Sequence, residues 1–89
     1  MFSIFRTSSF KVDFKKLNND DKEKLKQILM VLVNNGDLEE RHKNHQLIGN
    51  YKGSMECHIK PDLLLIYKVD IVLNELQLIR IGSHSQLFK

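Results

Sequence analysis

The amino-acid sequence predicts an α+β domain: an N-terminal strand, an antiparallel two-helix hairpin, then a three- to four-stranded, mainly antiparallel sheet. Three observations predict it. Apolar residues between Phe10 and Val33 recur at helical spacing. From residue 54 onward the apolar period shortens to that of strands. The segments joining those later strands are short, which favours antiparallel neighbours.

Residues 2–7, FSIFRT, carry β-formers in weak alternation and read as the first strand. Ser8 and Ser9 can cap a helix, because a hydroxyl oxygen accepts an unpaired N–H of the first turn. Phe10, Phe14 and Leu17 follow at i, i+4 and i+7, one helical face. Asn18 and Asn19 break the run, and Asp20 or Asp21 is expected to cap a second helix. Its stripe is Leu25, Ile28, Leu29, Leu32 and Val33, and Gly36 stops it. Only two or three residues separate the helices, so they form a hairpin.

Residues 37–48 are polar without a period and read as a loop with room for one helical turn. Residues 49–53, bounded by Gly49 and Gly53, read as a short strand or turn. In residues 54–60, Met55, Cys57 and Ile59 point one way, and Ser54, Glu56, His58 and Lys60 the other. Pro61 ends that strand, since it has no N–H for a ladder. Residues 62–69 begin apolar on both parities, as in a central strand covered on both faces. Residues 70–74 connect to a last strand, residues 75–81. There Leu76 and Leu78 share a parity with Arg80, while Ile79 and Ile81 take the opposite one. Gly82 ends it, and residues 83–88 form a tail closing on an aromatic.

A chain of 89 residues fits a single domain, 1–89, with one modest core. Hydrophobic residues at 42% and charged residues at 28% describe a globular chain rather than a disordered one. The formal charge of +3 favours nucleic acid or an acidic protein as partner without choosing between them. No apolar run is long enough to cross a bilayer, so no membrane partner is expected. The start lacks the basic region and long apolar stretch of a secretory signal. Cys57 has no second cysteine with which to pair, which suits a reducing cytoplasm.

The reactive side chains crowd into residues 45–88. Glu56 and His58, two apart, project from one strand face, and Asp62 follows Pro61. The last strand brings Arg80 and, past Gly82, His84; His45 lies on the loop entering the sheet. If the hairpins pair as expected, these groups converge near one end of the sheet. Cutting RNA through its own 2′-hydroxyl needs a base, a cation for the phosphate and an acid for the leaving 5′-oxygen. Histidine serves either proton role and arginine binds phosphate through a fixed fork. The competing reading is a solvated polar face on which Arg80 pairs with Glu56 or Asp62. Phe88 is a core plug or a platform for a base. His42 and His45, and the adjacent Cys57 and His58, lack the paired spacing of a zinc site, so no metal or cofactor is expected.

The segment from Glu56 to Tyr67, E-C-H-x-x-P-D-L-L-L-x-Y, and that from Arg80 to Phe88, R-x-G-S-H-S-x-L-F, together with His45-Gln46-Leu47 and Gly49, resemble the YafQ-type branch of the RelE/ParE toxin superfamily. The resemblance extends over nearly the whole chain; the N-terminal half fits by pattern rather than by motif. It implies a RelE/ParE-like fold and the toxin of a bacterial type II toxin–antitoxin system. It further implies an endoribonuclease that cuts mRNA in the ribosomal A site by 2′-hydroxyl attack, leaving a cyclic phosphate. The implied partners are a cognate antitoxin, mRNA and the ribosome, with operator DNA reached only through the antitoxin complex.

Carried over to this sequence, the functional positions fall on His45, His58, Asp62, Arg80, His84 and Phe88, with Glu56 beside them. His84 is then the general acid, Asp62 or His58 the base or the group that orients it, Arg80 the phosphate holder, and Phe88 a wall of the base pocket. One position departs from the pattern: Met55 stands where the family usually has arginine. By parity Met55 points away from Glu56 and His58, so the change bears on partner binding more than on chemistry. Two alternatives stand beside the enzyme. One is a non-enzymatic binding module of the same fold, acting as a ParE-like inhibitor or as a degenerate toxin working through antitoxin binding and operon regulation. Its ParE-like form lacks the histidine set present here. The other is a ribonuclease that needs no ribosome.

Overall fold

Phe10, Leu25, Ile28 and Leu32 put the apolar stripes of two helices against one face of a sheet, and every other element follows from covering them. The structure, a computed structural model, describes residues 1–88; Lys89, the last residue of the expected domain, lies outside them. In chain order the elements are β1 (Ser3–Arg6), α1 (Ser8–Lys15), α2 (Asn19–Val33), β2 (His45–Gln46), β3 (Met55–Lys60), β4 (Leu63–Asp70), β5 (Glu75–Gly82) and α3 (His84–Leu87). The five strands form one sheet in the order β1-β5-β4-β3-β2. β1 lies parallel to β5, and the other neighbours are antiparallel.

The helix caps lie one to three residues earlier than the sequence suggests. Thr7, not Ser8 or Ser9, caps α1: its Oγ1 accepts from the Phe10 N–H at 3.0 Å and donates to the Ile79 carbonyl at 2.7 Å. Asn18, not Asp20 or Asp21, caps α2 by accepting from the Asp21 N–H at 2.8 Å. Both aspartates sit in the first turn, where carboxylates suit the helix dipole. α1 lies over β5, and α2 over β3.

β4 is buried on both faces, as its apolar run predicts. Leu63, Leu65 and Tyr67 join the helix-side core with Cys57, Leu76, Leu78 and Ile81. Leu64 and Ile66 face the opposite side, where α3 contributes Leu87, and Leu47, Tyr51, Ile79 and Phe88 pack around them. Two elements were not legible as such. The expected loop 37–48 contains β2, which pairs His45 with Glu56 and Gln46 with Met55; two residues are too few to show a period. The tail 83–88 contains α3, closed by a reciprocal cap in which Ser83 and Gln86 satisfy each other's backbone N–H.

Register shifts redirect two side chains. One between His58 and Lys60 carries Lys60 off the face of Glu56 and toward α2, where Nζ lies 2.8 Å from Asp21 Oδ1. That contact is a charge pair whose approach lies outside ordinary hydrogen-bond geometry. The other, between Ile66 and Tyr67, places Arg80 opposite Ile66 and Leu78 opposite Tyr67. The strict alternation expected for β5 therefore breaks. Leu78 and Ile81 both join the helix-side core, and Ile79 turns to the opposite side. Among the described residues no helix is long and apolar enough to cross a membrane.

Candidate active site

The sheet sets the reactive side chains in two rows, because residues directly opposite in a ladder share a face. One row runs His45, Glu56, Ile66, Arg80 across β2 to β5. The next runs His58, Leu64, Gly82 across β3 to β5. Leu64 and Ile66 belong to the smaller cluster, so both rows lie on the side away from the main helix-side core. At one strand spacing per step, His58 stands roughly 10 Å from Gly82, a gap that can seat a phosphodiester. The β5 bulge matters here: strict alternation would have put Arg80 in the core with Leu78.

At the β3 end, Glu56 is only 5% exposed. Its Oε1 lies 3.4 Å from His45 Nε2 and 3.8 Å from His58 Nε2. A buried carboxylate needs such partners, because an isolated buried charge is costly. His45 Nδ1 donates to the Lys43 carbonyl at 2.6 Å. A carbonyl only accepts, so Nδ1 carries a proton, and Nε2, the nitrogen turned to Glu56, donates to the carboxylate only in the doubly protonated ring. His42 Nδ1 likewise donates to the His58 carbonyl at 2.7 Å and ties the loop to β3. Met55 packs against the helix-side core, away from this trio.

At the β5 end, α3 gathers Asp62, His84 and Phe88. Asp62, in the tight β3–β4 turn, accepts the His84 backbone N–H through Oδ1 at 3.3 Å. The His84 ring is exposed and lies 5.0 Å from the Phe88 ring. Tyr51 meets Phe88 edge-on at 5.8 Å.

Arg80 pairs with neither Glu56 nor Asp62. Its Nε donates to Asp13 Oδ2 at 2.6 Å and its Nη2 to Asp13 Oδ1 at 3.0 Å. The hydrogen bond to Asp13 raises the guanidinium pKa further, with Asp13 and Tyr51 adding to it, so the cation is permanent. Nη1 is outside the fork held by Asp13. The structure thus brings His45, Glu56 and His58 together, and Asp62, His84 and Phe88 together, with Arg80 at the end of the first row.

Sequence reasoning missed two residues of this region. Asp13 lies among lysines off the apolar face of α1, and nothing local marks it as a partner for a residue 67 positions later. Tyr51 falls in residues 49–53, which read as a short strand or turn with no role in the site. Its signal was available, as the one aromatic between Gly49 and Gly53.

The profile of the family described as "Bacterial toxin of type II toxin-antitoxin system, YafQ" matches residues 2–89. The chain belongs to the YafQ family. The mRNA interferase toxin YafQ of Escherichia coli K12 is 41% identical over 69 residues, spanning 76% of this chain and 73% of that protein. The crystal structure of YafQ from E. coli BL21(DE3) superposes with a TM-score of 0.89 at 32% identity, covering 100% of both chains. A metal-bound toxin from Helicobacter pylori gives 0.88 at 35% identity, covering 99% of this chain and 100% of that one. Among the described residues of this YafQ-family chain, no group of three or more His, Cys, Asp or Glu is placed to hold a metal ion. Glu56 Oε1 is shared between two imidazoles instead.

Proposed function

We propose that this YafQ-family toxin is an mRNA interferase that cuts RNA through the 2′-hydroxyl without a cofactor. The observation that carries the reading is the pair of rows. His58 with Glu56 stands at one end, His84 with Phe88 at the other, and Arg80 beside them. His58, placed beside Glu56, takes the proton of the 2′-hydroxyl. The freed oxygen bonds to phosphorus. Arg80 offsets the charge that grows on the non-bridging oxygens. The bond from phosphorus to the 5′-oxygen breaks, and His84 protonates that oxygen. The products are a 2′,3′-cyclic phosphate and a 5′-hydroxyl. Asp62 acts by fixing the His84 backbone, and Phe88 walls the base. His45, through Glu56, orients the carboxylate that serves His58.

The site lies on an open face with His45 and His84 exposed. A ribosomal A site would cover the side of the RNA that the protein leaves bare. The relative in E. coli has been solved as a DinJ–YafQ toxin–antitoxin complex, which supports a cognate antitoxin here. In this proposal operator DNA is contacted only through the toxin's complex with its antitoxin. The deciding experiment maps RNA ends after incubation of wild type and His84→Ala with translating ribosomes and with naked RNA. Cyclic-phosphate ends on ribosomes that vanish in the variant are expected. Growth arrest without any cleavage would favour the non-enzymatic module, and equal cleavage of naked RNA would remove the ribosome from the reading.

A further inference from the structure

A second concave surface lies next to the candidate active site. It is a cleft of about 490 Å³ between α2, the single turn Glu40–His42 and the end of β3. Lys24, Arg41, Lys43 and Lys60 line it together with His42, His58 and the neutral Gln27, and no carboxylate does. For a chain with a formal charge of only +3, this is a strong local concentration of positive charge.

The carboxylates near these cations lie outside the lining. Lys24 pairs with Asp20 and Arg41 with Glu39, and all four side chains are close to half exposed or more. Exposed pairs of this kind hold their partners weakly, so a phosphate can displace them. Lys60 is held by Asp21. Lys43 has no carboxylate partner among the described residues. His42 is fixed by its bond to the His58 carbonyl, so the cleft wall is joined to the catalytic strand rather than hanging from a loose loop.

We infer that this cleft binds the sugar-phosphate backbone of the RNA nucleotide flanking the cut, with Arg41 and Lys43 as its principal phosphate ligands. The inference rests on the ribonuclease reading above and extends it. His58 lines both the cleft and the candidate active site, so a strand whose scissile phosphate meets His58 has this cleft within reach of an adjacent phosphate. An acidic protein segment offers similar charge, but nothing requires it to pass His58. Continuity with the site therefore favours RNA.

The test uses the full chain and a fluorescent single-stranded RNA decamer carrying 2′-O-methyl riboses, which cannot be cut by 2′-hydroxyl attack. Its affinity is read by anisotropy across a salt series. The variant is Arg41→Gln with Lys43→Asn. Arg41 is exposed, and Lys43 holds a left-handed backbone (φ 47°) that asparagine adopts readily, so the fold should persist. A control removes two exposed α1 charges, Lys11→Gln with Lys15→Gln. The cleft variant is expected to weaken binding about tenfold and to flatten the salt slope by about 0.7 for each phosphate it no longer neutralises, with the control far less affected. Equal weakening in both, unchanged binding, or no RNA binding by the wild type would overturn the inference. So would a selective drop in affinity for an acidic antitoxin peptide, which would assign the cleft to protein. If ribosomal mRNA stays intact while the cleft variant still binds RNA selectively less well, the catalytic reading fails, and the cleft remains an RNA-backbone site with no cut beside it.

Discussion

Asp13 of α1 grips Arg80 of β5 by two hydrogen bonds, at 2.6 Å and 3.0 Å, while its Oδ2 also accepts the Ile81 N–H at 3.1 Å. A helix residue thereby fixes both the angle of the guanidinium fork and the strand segment after the bulge. Asp13→Asn breaks the two-point match, because an amide offers only one acceptor oxygen. Roughly 1.5–3 kcal/mol of stability should be lost in urea titrations, the usual range for hydrogen bonds to charged groups. Cleavage should fall about tenfold or more, and more steeply than in an equally destabilised core variant. Arg80→Lys keeps the charge and loses the fork, so it should lower cleavage as well. Wild-type cleavage by Asp13→Asn would show that Asp13 serves the fold alone.

His84 should separate chemistry from stability. Its ring is exposed, and its fixed hydrogen bond is through the backbone N–H to Asp62, which any side chain leaves in place. His84→Gln should change stability by no more than about 0.5 kcal/mol, as for most surface substitutions. Loss of a proton donor should cut the rate by about 10²- to 10⁴-fold. Urea midpoints and single-turnover cleavage on ribosomes provide the comparison. A fully active glutamine variant would remove His84 from the role of acid.

The long periodic segments were legible because burial imposes period on sequence. The α2 stripe, the alternation of residues 54–59 and the doubly apolar start of β4 each carry that imprint. β2 was not legible, since two residues have no period. α3 was marked by Ser83 and Gln86 in capping-box spacing, but four residues lack a second apolar turn to strengthen the signal. The catalytic candidates were legible as motifs, whereas the β5 bulge that turns Arg80 outward was not. A bulge is set by the partner strand's register, and strand parity alone gives the opposite answer at that position. Asp13 was invisible for a related reason: its partner is distant in sequence and nothing in α1 announces it.

The hold on α3 gives a third prediction. A Cβ at Gly82 would come 2.8 Å from Gln86 Oε1, the atom that accepts the Ser83 N–H at 2.7 Å. Gly82→Ala should push the flexible glutamine aside and open the reciprocal cap, at a cost of about 1 kcal/mol, as for other lost caps. His84 and Phe88 ride on that turn, so cleavage should fall by more than the stability change explains. Ser85→Ala, an exposed neighbour, is the control. If Gly82→Ala cleaves RNA as Ser85→Ala does, α3 tolerates the open cap.

Alkaline pH should expose the two buried acids of the main core. Burial, with the Glu56 charge second, pushes the Cys57 thiol from 9.0 up to about 12. Burial, then the neighbouring Cys57, pushes the Tyr67 phenol from 10.0 up to about 12, against the lowering effect of its hydrogen bond to Asn44. In the window from about 9 to 12 the folded chain keeps protons that the unfolded chain has lost. The unfolded state then binds fewer protons, so stability falls as pH rises, by at most roughly 1.4 kcal/mol per pH unit for each group. Below about pH 8 neither group gives an appreciable slope. Cys57→Ala should be less stable at pH 7, because it leaves a small cavity, yet flatter between pH 9 and 12. Tyr67→Phe should flatten the upper part of the window while releasing the tie to Asn44. Urea midpoints at pH 7, 9 and 10.5 measure both slopes. A Cys57→Ala profile parallel to wild type would mean that the thiol reaches water and titrates as it does in the unfolded chain.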